Sequence, residues 1–355
     1  MKKIICILVL ICGLLIRPAH SQIAVSDTAY AVKDTQNVNT RLFDSDEIFD
    51  ISLKFDLTSY KRKRSDQEYL DAVLTYHTSP KDSIAKNIKV RARGILRREI
   101  CDIPPLLLSF KMKDSVGGEF AGIDKLKLVP VCKTGFEDYV LREYLIYKLY
   151  NALTNISLRV RLLRITYINT FKQSKPIVQY GFAIEPLKLF EKRTKSVELK
   201  TPAVTQKSIR PEMMDRFAIF NFMIGNTDWS VPILHNVLVF SQAFSDRPDQ
   251  GIIVPFDFDY AGLVNTNYAT PFPSLPIQSV RERYYLGICR SEVEFANSLK
   301  EFSDKKEEFY RIIKEFSYLD DKSKKDIIRY LDGFYEKIDK KNSIINDFLK
   351  SCIKF

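Results

Sequence analysis

Short apolar runs separated by polar turns dominate the chain between residues 46 and 135, and this spacing is typical of β-strands. The runs lie at residues 48–55, 70–76, 88–93, 106–110 and 126–131. Gly117-Gly118 predicts a turn between the last two strands. Residues 22–45 are polar and show no periodicity, which predicts a flexible arm before the first strand.

The spacing of apolar residues changes at residue 136. From there to residue 151 they recur at the spacing of an amphipathic helix. Two further apolar runs, at 162–168 and 177–184, predict a pair of strands after this helix. Residues 187–210 are polar and basic, and they predict a connector.

A second helix is predicted for residues 212–224. Pro211 stands in its first turn, where proline is tolerated, and Gly225-Asn226 ends it. Two short apolar runs follow, at 237–240 and 252–256, and they predict two more strands.

The last part of the chain is predicted to be irregular over residues 261–290 and helical from 291 to 355, where Lys and Glu are frequent. The pattern as a whole predicts an α+β fold. We expect a β-rich N-lobe with one helix at 46–186 and a mainly helical C-lobe at 187–355.

The first 21 residues have the features of a secretory signal peptide. Lys2 and Lys3 form a basic start, a 13-residue apolar run extends from Ile4 to Ile16, and small residues at 19 and 21 fit cleavage before Gln22. The run is shorter than the roughly 20 apolar residues of a membrane-spanning helix, and no later stretch approaches that length. We therefore expect an exported protein of the periplasm, cell envelope or extracellular space, with no transmembrane segment in the mature chain.

Cleavage would leave the four cysteines Cys101, Cys132, Cys289 and Cys352. An even number in an oxidising compartment permits disulfides. Cys101 and Cys132 lie at the edges of two predicted strands, which favours a bond between them, whereas free buried cysteines are the alternative. The spacings do not suggest a zinc site.

The predicted mature chain carries 52 basic and 44 acidic residues, a net charge of +8. This surplus favours anionic partners such as phosphate groups, acidic proteins, anionic glycans or lipids, and the simpler alternative is a solvated basic surface. The basic residues are scattered and form no nucleic-acid-binding motif, so we expect no nucleic-acid partner.

One segment groups the residue types that phosphoryl transfer from a nucleotide requires. Asp228 follows the second long helix, Asn236 comes just before one of the two short strands of the second half, and Asp257 and Asp259 come directly after the other. We predict Asp228 as the catalytic base that orients the attacking hydroxyl. Asn236, Asp257 and Asp259 would bind Mg²⁺, which prefers such oxygen ligands, with Mn²⁺ as an alternative metal.

The same residues have a simpler interpretation. Asp and Asn after a helix often cap it or form turns, and Asp257-Phe258-Asp259 would then be a polar strand end. An apolar strand that ends in two acidic residues is costly unless these meet a cation or hydrogen-bond donors, which favours the metal site.

The acidic block, Asn226-Thr227-Asp228 with His235-Asn236 and Asp257-Phe258-Asp259, resembles the catalytic and metal-binding segments of the CotH kinases, the atypical protein kinases of spore coats. Upstream, Arg93-Gly94 and the helix segment Leu141-Arg142-Glu143-Tyr144 are similar to elements of that family in matching order. The resemblance covers roughly residues 85–265, and the acidic block is its specific part. The chain also resembles exported proteins of Bacteroidetes-type bacteria.

The resemblance implies a bilobal, atypical protein-kinase-like fold and an ATP-dependent kinase that uses Mg²⁺. The residues that would bind the nucleotide are Arg93, Lys111, Lys127, Glu143 and Glu185, with Arg97 as a further phosphate ligand. On this basis Glu143 would orient the phosphate-binding lysine, and Glu185 would lie near the edge of the nucleotide. The sequence departs from the family where Pro104-Pro105 replaces its paired lysines, and it has no glycine-rich phosphate loop.

Three functions are compatible with these features. The first is an exported kinase that transfers the γ-phosphoryl group of ATP to a hydroxyl of an unknown protein or glycan. The second is a catalytically inactive kinase-like envelope protein that binds an anionic ligand or partner, which the scarcity of ATP outside the cytoplasm favours. The third is a structural envelope protein in which Asp257 and Asp259 serve stability only.

Overall fold

The computed structural model describes residues 41–354, except 80, 112–117, 201–203, 243–244, 248 and 341–342. The predicted signal peptide and the predicted arm up to residue 40 lie outside the described residues, as does Gly117 of the predicted turn. The described residues form one compact unit.

Seven strands from the first half of the chain close into a mixed β-barrel. The strands are β1 (Phe49–Phe55), β2 (Leu70–His77), β3 (Ser83–Ala92), β4 (Leu106–Phe110), β5 (Lys125–Pro130), β6 (Val160–Asn169) and β7 (Ile177–Ile184). They follow one another around the barrel in the order β1-β2-β3-β4-β5-β7-β6. Neighbouring strands are antiparallel except for β1 and β6, whose parallel pairing closes the sheet.

Alternate side chains of these strands fill the barrel, as the two-residue period of a strand requires. In β1, for example, Ile51, Leu53 and Phe55 are buried, whereas Lys54 is exposed on the outer face. Buried apolar side chains from all seven strands form one cluster, which we call the barrel core, together with side chains from outside the strands: Leu42, Leu57, Tyr60, Ile103, Phe120 and Ile123. The barrel is therefore packed with side chains rather than hollow.

The helices of the described chain mostly follow the barrel strands. They are α1 (Leu57–Lys63), α2 (Leu96–Ile100), α3 (Glu137–Leu153), α4 (Leu187–Thr194), α5 (Pro211–Ile224), α6 (Glu292–Asp304), α7 (Lys306–Glu315), α8 (Asp321–Asp339) and α9 (Ser343–Ser351). A second sheet has the order β10-β9-β8 and consists of β8 (Val197–Glu198), β9 (Val237–Ser241) and β10 (Ile252–Pro255).

Helix α3 is buried on nearly all sides because it lies between the barrel and the C-terminal helices, where it contacts β6, β7 and α7. Its side chains belong to one large hydrophobic cluster, the shared core, to which strands of both sheets and the helices α5 to α9 also contribute. The first and second halves of the chain therefore stabilise each other through common buried surface.

The α+β class agrees with the structure, but the predicted bilobal kinase-like fold with a helical C-lobe is wrong. The strands close into a barrel because β1 pairs in parallel with β6, a contact between distant segments that local apolar patterns do not reveal. The second half is not simply helical, since it carries the second sheet. In addition, α3, β6 and β7 are buried in the same core as the C-terminal helices, so these elements do not form separate lobes.

Local patterns located most elements correctly. The predicted helices correspond to α3 and to α5, which begins at Pro211 and ends at Gly225 in the left-handed conformation. Residues 261–290 contain no helix or strand, as predicted. The short helices α1, α2 and α4 were not predicted, because five to eight residues carry too little periodicity.

Two disulfides are present, Cys101–Cys132 with a Cα–Cα distance of 4.4 Å and Cys289–Cys352 with 4.8 Å. The predicted first pair is thus confirmed, and the second pair ties the segment before α6 to the end of α9. Such bonds are compatible with an oxidising compartment. Among the described residues, no helix is long and apolar enough to cross a membrane.

We expect the double variant Cys289→Ala/Cys352→Ala to lower the free energy of unfolding by about 2–5 kcal/mol. The reason is that this bond closes a loop of 63 residues, which restricts the unfolded chain. Urea denaturation followed by circular dichroism measures the loss. Reduction opens both disulfides, so it should lower the wild-type midpoint at least as far as the variant's. Equal midpoints for oxidised wild type and oxidised variant would show that the Cys289–Cys352 bond does not form.

Candidate functional site

Two adjoining cavities lie between the barrel and the second sheet. The Asp228 cavity has a volume of about 630 Å³, and the Lys127 cavity has a volume of about 810 Å³. They share Arg93, Phe256 and Asp257 in their walls. Volumes of this size are typical of small-molecule sites.

The position of Asp228 depends on the end of helix α5. Gly225 adopts the left-handed conformation there, with φ of 67°, and ends the helix. The Asn226 side chain then donates from Nδ2 to Asn221 Oδ1 at 2.9 Å and accepts at Oδ1 from the Asp228 backbone N–H at 3.0 Å. Because Asn226 and Asn221 are buried, this chain of hydrogen bonds holds the Asp228 backbone against the helix.

The Asp228 carboxylate is held on both of its oxygens. Reciprocal backbone hydrogen bonds between Ser230 and His235 turn the chain back toward Asp228. As a result, His235 Nε2 lies 2.9 Å from Asp228 Oδ1, and Asn236 Nδ2 donates to Asp228 Oδ2 at 2.9 Å. Only 17% of the Asp228 side chain is exposed, so the carboxylate is both oriented and largely shielded.

The pairing of β9 with β10 brings Asp257 to the same place. Val237 lies opposite Pro255, so the residues that flank them, Asn236 and Phe256, are also opposite, and Phe256 N–H donates to Asn236 O at 3.2 Å. Asp257 follows directly. Asn236 and Asp257 both have positive φ angles, 52° and 62°, in a region that Asn and Asp adopt more readily than other residues with side chains. Positive φ angles of this kind often occur at functional sites.

Tyr147 of α3 supports the unusual backbone at Asp257. Its hydroxyl accepts a hydrogen bond from the Asp257 backbone N–H at 3.0 Å, and its ring is buried against Phe258. The rigid helix thereby fixes the point at which the strand ends and the acidic residues begin.

Arg97 of α2 links three carboxyl groups beneath the cavities. Its guanidinium donates to Glu143 Oε2 at 2.6 Å and to Asp259 Oδ2 at 2.8 Å, and it lies 3.9 Å from Asp257 Oδ1. Tyr268 also donates to Asp259 Oδ2, at 3.1 Å. Asp259 is therefore directed mainly toward Arg97 and Tyr268, whereas half of the Asp257 side chain is exposed to the cavities.

The carboxyl groups around this site outnumber its cations. The carboxyl groups are Asp228, Glu143, Asp257 and Asp259, and the cations are Arg93, Arg97 and Lys127. Burial raises the pKa of Glu143 to about 7, although Arg97 opposes the shift. Burial and the neighbouring Asp259 also raise the pKa of Asp257. These carboxyl groups therefore release their protons less readily than free carboxyl groups, and a cation bound beside them would favour their ionised forms.

Arg93 and Lys127 form a cationic wall next to Asp257. Within the described part of the chain, the Arg93 guanidinium makes no hydrogen bond, and its Nε is buried without a partner. Burial and the nearby Arg93 lower the pKa of Lys127. Two desolvated cations side by side, without ion-pair partners, favour the binding of an anion.

The lining of the Lys127 cavity combines apolar and charged side chains. Leu107, Ile184, Leu238 and Phe256 contribute apolar surface, and lysines and acidic residues are both present. Glu185 lines this cavity but is buried, and Arg193 binds both of its carboxylate oxygens at 2.8–3.1 Å. Glu185 consequently supports the wall rather than presenting a free carboxylate.

The structure brings most of the predicted site residues together. Those in or directly beside the cavities are Arg93, Lys127, Glu143, Glu185, Asp228, Asn236, Asp257 and Asp259. Glu143 pairs with Arg97 rather than with a lysine. No three His, Cys, Asp or Glu side chains in the described ranges form a metal-binding group by themselves, so a metal here would also need Asn236.

Lys111 lies elsewhere, in a groove on the outer face of the barrel. The antiparallel pairing of β4 and β5 explains this, because Lys127 is opposite Leu107. Lys111 comes four residues after Leu107, which corresponds to about 13 Å along the strand direction. The apolar pattern alone does not show at which end of β4 the cavities lie.

Two tyrosines of the site were not predicted. Tyr147 lies one helical turn after Glu143 on the same face of α3, so helical spacing could have placed it near the acidic block. Tyr268 lies in the irregular segment, where no periodicity indicates a contact. The rim also carries the exposed apolar side chains of Ile95, Leu96 and Phe272.

Comparison with known proteins does not identify a family. No protein-family model matches the chain, and no curated protein sequence matches it. The resemblance of the acidic block to CotH kinases thus stays a prediction.

When the pH rises from 5 to 7, we expect the free energy of unfolding to fall less for the variant Glu143→Gln than for wild type. Glu143 has its pKa raised from 4.5 to about 7, so the folded chain holds a proton in this range that the unfolded chain has released. The free energy of unfolding of wild type should therefore fall as pH rises through that window, by on the order of 2–3 kcal/mol from this group.

Urea denaturation at several pH values measures this difference. Glu137→Gln, in the first turn of the same helix, is the matched control and should follow wild type. Parallel pH profiles for Glu143→Gln and wild type would show that Glu143 does not hold the extra proton.

Proposed function

We propose that the protein is a metal-dependent phosphotransferase that moves the γ-phosphoryl group of ATP to a hydroxyl of a protein or glycan acceptor. One observation carries this proposal. Asp228, held by His235 and Asn236, faces the same cavity as Asp257 and the unpaired Arg93. A shielded carboxylate, oxygen ligands for a metal and a free cation are the groups that phosphoryl transfer uses.

The Lys127 cavity is suited to the nucleotide. Its apolar lining residues suit a base, and of its two cations Arg93 lines both cavities whereas Lys127 lines this one. With the base inside, the phosphate groups would extend along the cationic wall toward Asp257. Charge-assisted hydrogen bonds from Arg93 would replace the partner that its guanidinium lacks.

Asn236 and Asp257 fit a divalent cation. The Asn236 amide donates its N–H group to Asp228, and no described residue donates to its Oδ1, which leaves a neutral oxygen ligand. Asp257 offers a half-exposed carboxylate, and such hard oxygen ligands suit Mg²⁺ or Mn²⁺. When bound there, the metal would neutralise negative charge on the phosphates.

Asp228 is the proposed base. Each carboxylate oxygen carries two lone pairs, so hydrogen bonds from His235 and Asn236 leave room for the acceptor hydroxyl to donate. As the acceptor oxygen bonds to the γ-phosphorus, the bond to the bridging oxygen breaks, the hydroxyl proton passes to Asp228, and ADP leaves. The order of these residues along the chain, which resembles that of CotH kinases, also supports this assignment.

A catalytically inactive anion-binding protein is the second candidate. It is favoured by the pairing of Glu143 with Arg97, because Glu143 is then not available to orient a phosphate-binding lysine. Arg93 and Lys127 would still bind phosphate groups in such a protein.

We expect wild-type protein to transfer labelled phosphate from ATP to itself or to an added acceptor when Mg²⁺ or Mn²⁺ is present. Asp228→Asn should reduce transfer by at least about 100-fold, since removal of a positioned base typically costs this much. Asp257→Asn should weaken the metal-dependent rise in melting temperature that ATP produces in wild type.

Asp246→Asn is the matched control, because Asp246 is exposed in the loop between β9 and β10, away from the cavities. It should retain wild-type transfer and wild-type melting behaviour. A metal-dependent melting shift without transfer would support the anion-binding alternative. Equal transfer by wild type and Asp228→Asn would contradict the proposed base.

A further inference from the structure

A separate groove lies on the outer face of the barrel, across strands β1 to β4. Its volume is about 730 Å³, and it shares no lining residue with the Asp228 or Lys127 cavities. We call it the lysine groove because Lys54, Lys89 and Lys111 line it. The proposed phosphotransferase activity makes no use of it.

Strand register explains how these lysines come to one face. Lys54 lies opposite Val73, and Val73 lies opposite Asn87 on the next strand. Ile88 lies opposite Phe110, which places Lys111 beside Asn87. The outer face thus carries one row across four strands, Lys54, Val73, Asn87 and Lys111, which spans about 14 Å at a strand spacing of about 4.8 Å. Lys89 lies in the neighbouring row, opposite Asp71 on one side and Ser109 on the other.

The groove carries more positive than negative charge, with three lysines and one aspartate in its lining. In the described chain, Lys54 and Lys111 form no ion pairs, and Lys89 lies 3.8 Å from the highly exposed Asp71. Asp71 is the one acidic residue in the lining, whereas Asn87, Ser109 and Thr170 add an amide and two hydroxyl groups. A ligand that carries negative charges together with many hydrogen-bonding groups matches this surface.

We propose that the lysine groove binds an acidic polysaccharide, with sugar carboxylates paired to Lys54, Lys89 and Lys111. The sugar hydroxyl groups would exchange hydrogen bonds with Asn87, Ser109 and Thr170. Lys54 and Lys111 stand at the two ends of one row and Lys89 lies in the row beside it, and such spaced ammonium groups suit a ligand in which negative charges repeat along a chain.

Two features disfavour an acidic peptide. The barrel is closed, so none of β1 to β4 has a free edge to which a peptide could add as a further strand. Of the apolar lining residues, Ala72, Ile88 and Phe110 are at most 7% exposed and Val73 alone is half-buried, so a single small side chain is the apolar surface available to an anchor residue. An acidic sugar chain needs neither.

The proposal also gives a role to features that the Asp228 and Lys127 cavities do not use. Lys111, which the resemblance to a kinase family assigned to phosphates, lies in this groove. The groove also provides one location for the anionic partner that the basic surplus of the sequence predicts.

The test uses the full mature chain and oligogalacturonate, a uronic-acid oligomer, with a neutral galactose oligomer and a poly-glutamate peptide of similar length as comparisons. Isothermal titration calorimetry at low and at physiological salt measures the affinities. We expect oligogalacturonate to bind, more weakly at higher salt, and to bind better than either comparison. Absence of binding, or stronger binding of poly-glutamate, would overturn the proposal.

The variant Lys54→Gln/Lys111→Gln should bind oligogalacturonate about tenfold more weakly, because two ion pairs are lost. The matched control Lys322→Gln/Lys325→Gln removes the same charge from the exposed face of α8 and should change the affinity less than about twofold. Asn87→Ala, which keeps the charge, should also weaken binding. Equal losses in both double variants would instead indicate non-specific attraction to a basic protein, and unchanged melting temperatures exclude unfolding as the cause.

Discussion

The buried guanidinium of Arg97 is the interaction on which the site depends. Its positive charge pairs directly with the carboxyl groups of Glu143 and Asp259 and lies near that of Asp257. It therefore allows three carboxyl groups to be packed beside the Asp228 and Lys127 cavities. A charge buried without a partner is strongly destabilising, which means that these groups stabilise the fold only as a set. The Cys101–Cys132 bond anchors the end of α2 and thereby limits the movement of Arg97. The barrel, the second sheet and the shared core all meet at this set of charges.

Features that depend on neighbouring residues could be predicted from the sequence. The strands of the barrel appear as alternating runs, and Pro211 and Gly225 mark the ends of α5. The acidic block was predictable for the same reason. β9 and β10 are consecutive strands of the described chain and pair antiparallel, so the residues before the first strand and after the second lie together at one end of the pair. Asn236 and Asp257 meet through this local register.

Features that depend on distant contacts could not be predicted. The parallel pairing of β1 with β6, which turns the sheet into a barrel, joins segments more than 100 residues apart. The pairing of Arg97 with Glu143 depends on the same tertiary arrangement, because a five-residue helix has no periodicity that would orient it. Lys111 illustrates the difference. The exposure of Lys111 follows from the alternation of side chains along a strand, which is local. Its distance from the Asp228 and Lys127 cavities follows from the pairing of β4 with β5, which is not.

The parallel ladder between β1 and β6 has a consequence for the order in which the chain acquires its structure. Phe49 aligns with Leu163, so β1 is synthesised well before the strand that covers its second edge. Topologies with contacts between distant segments fold slowly, because the entropy of a long loop is lost before the contacts form. During that interval β1 exposes unpaired backbone groups that attract other strands. Barrel closure therefore has to wait for β6, and until then the free edge of β1 is open to pairing with strands of other chains.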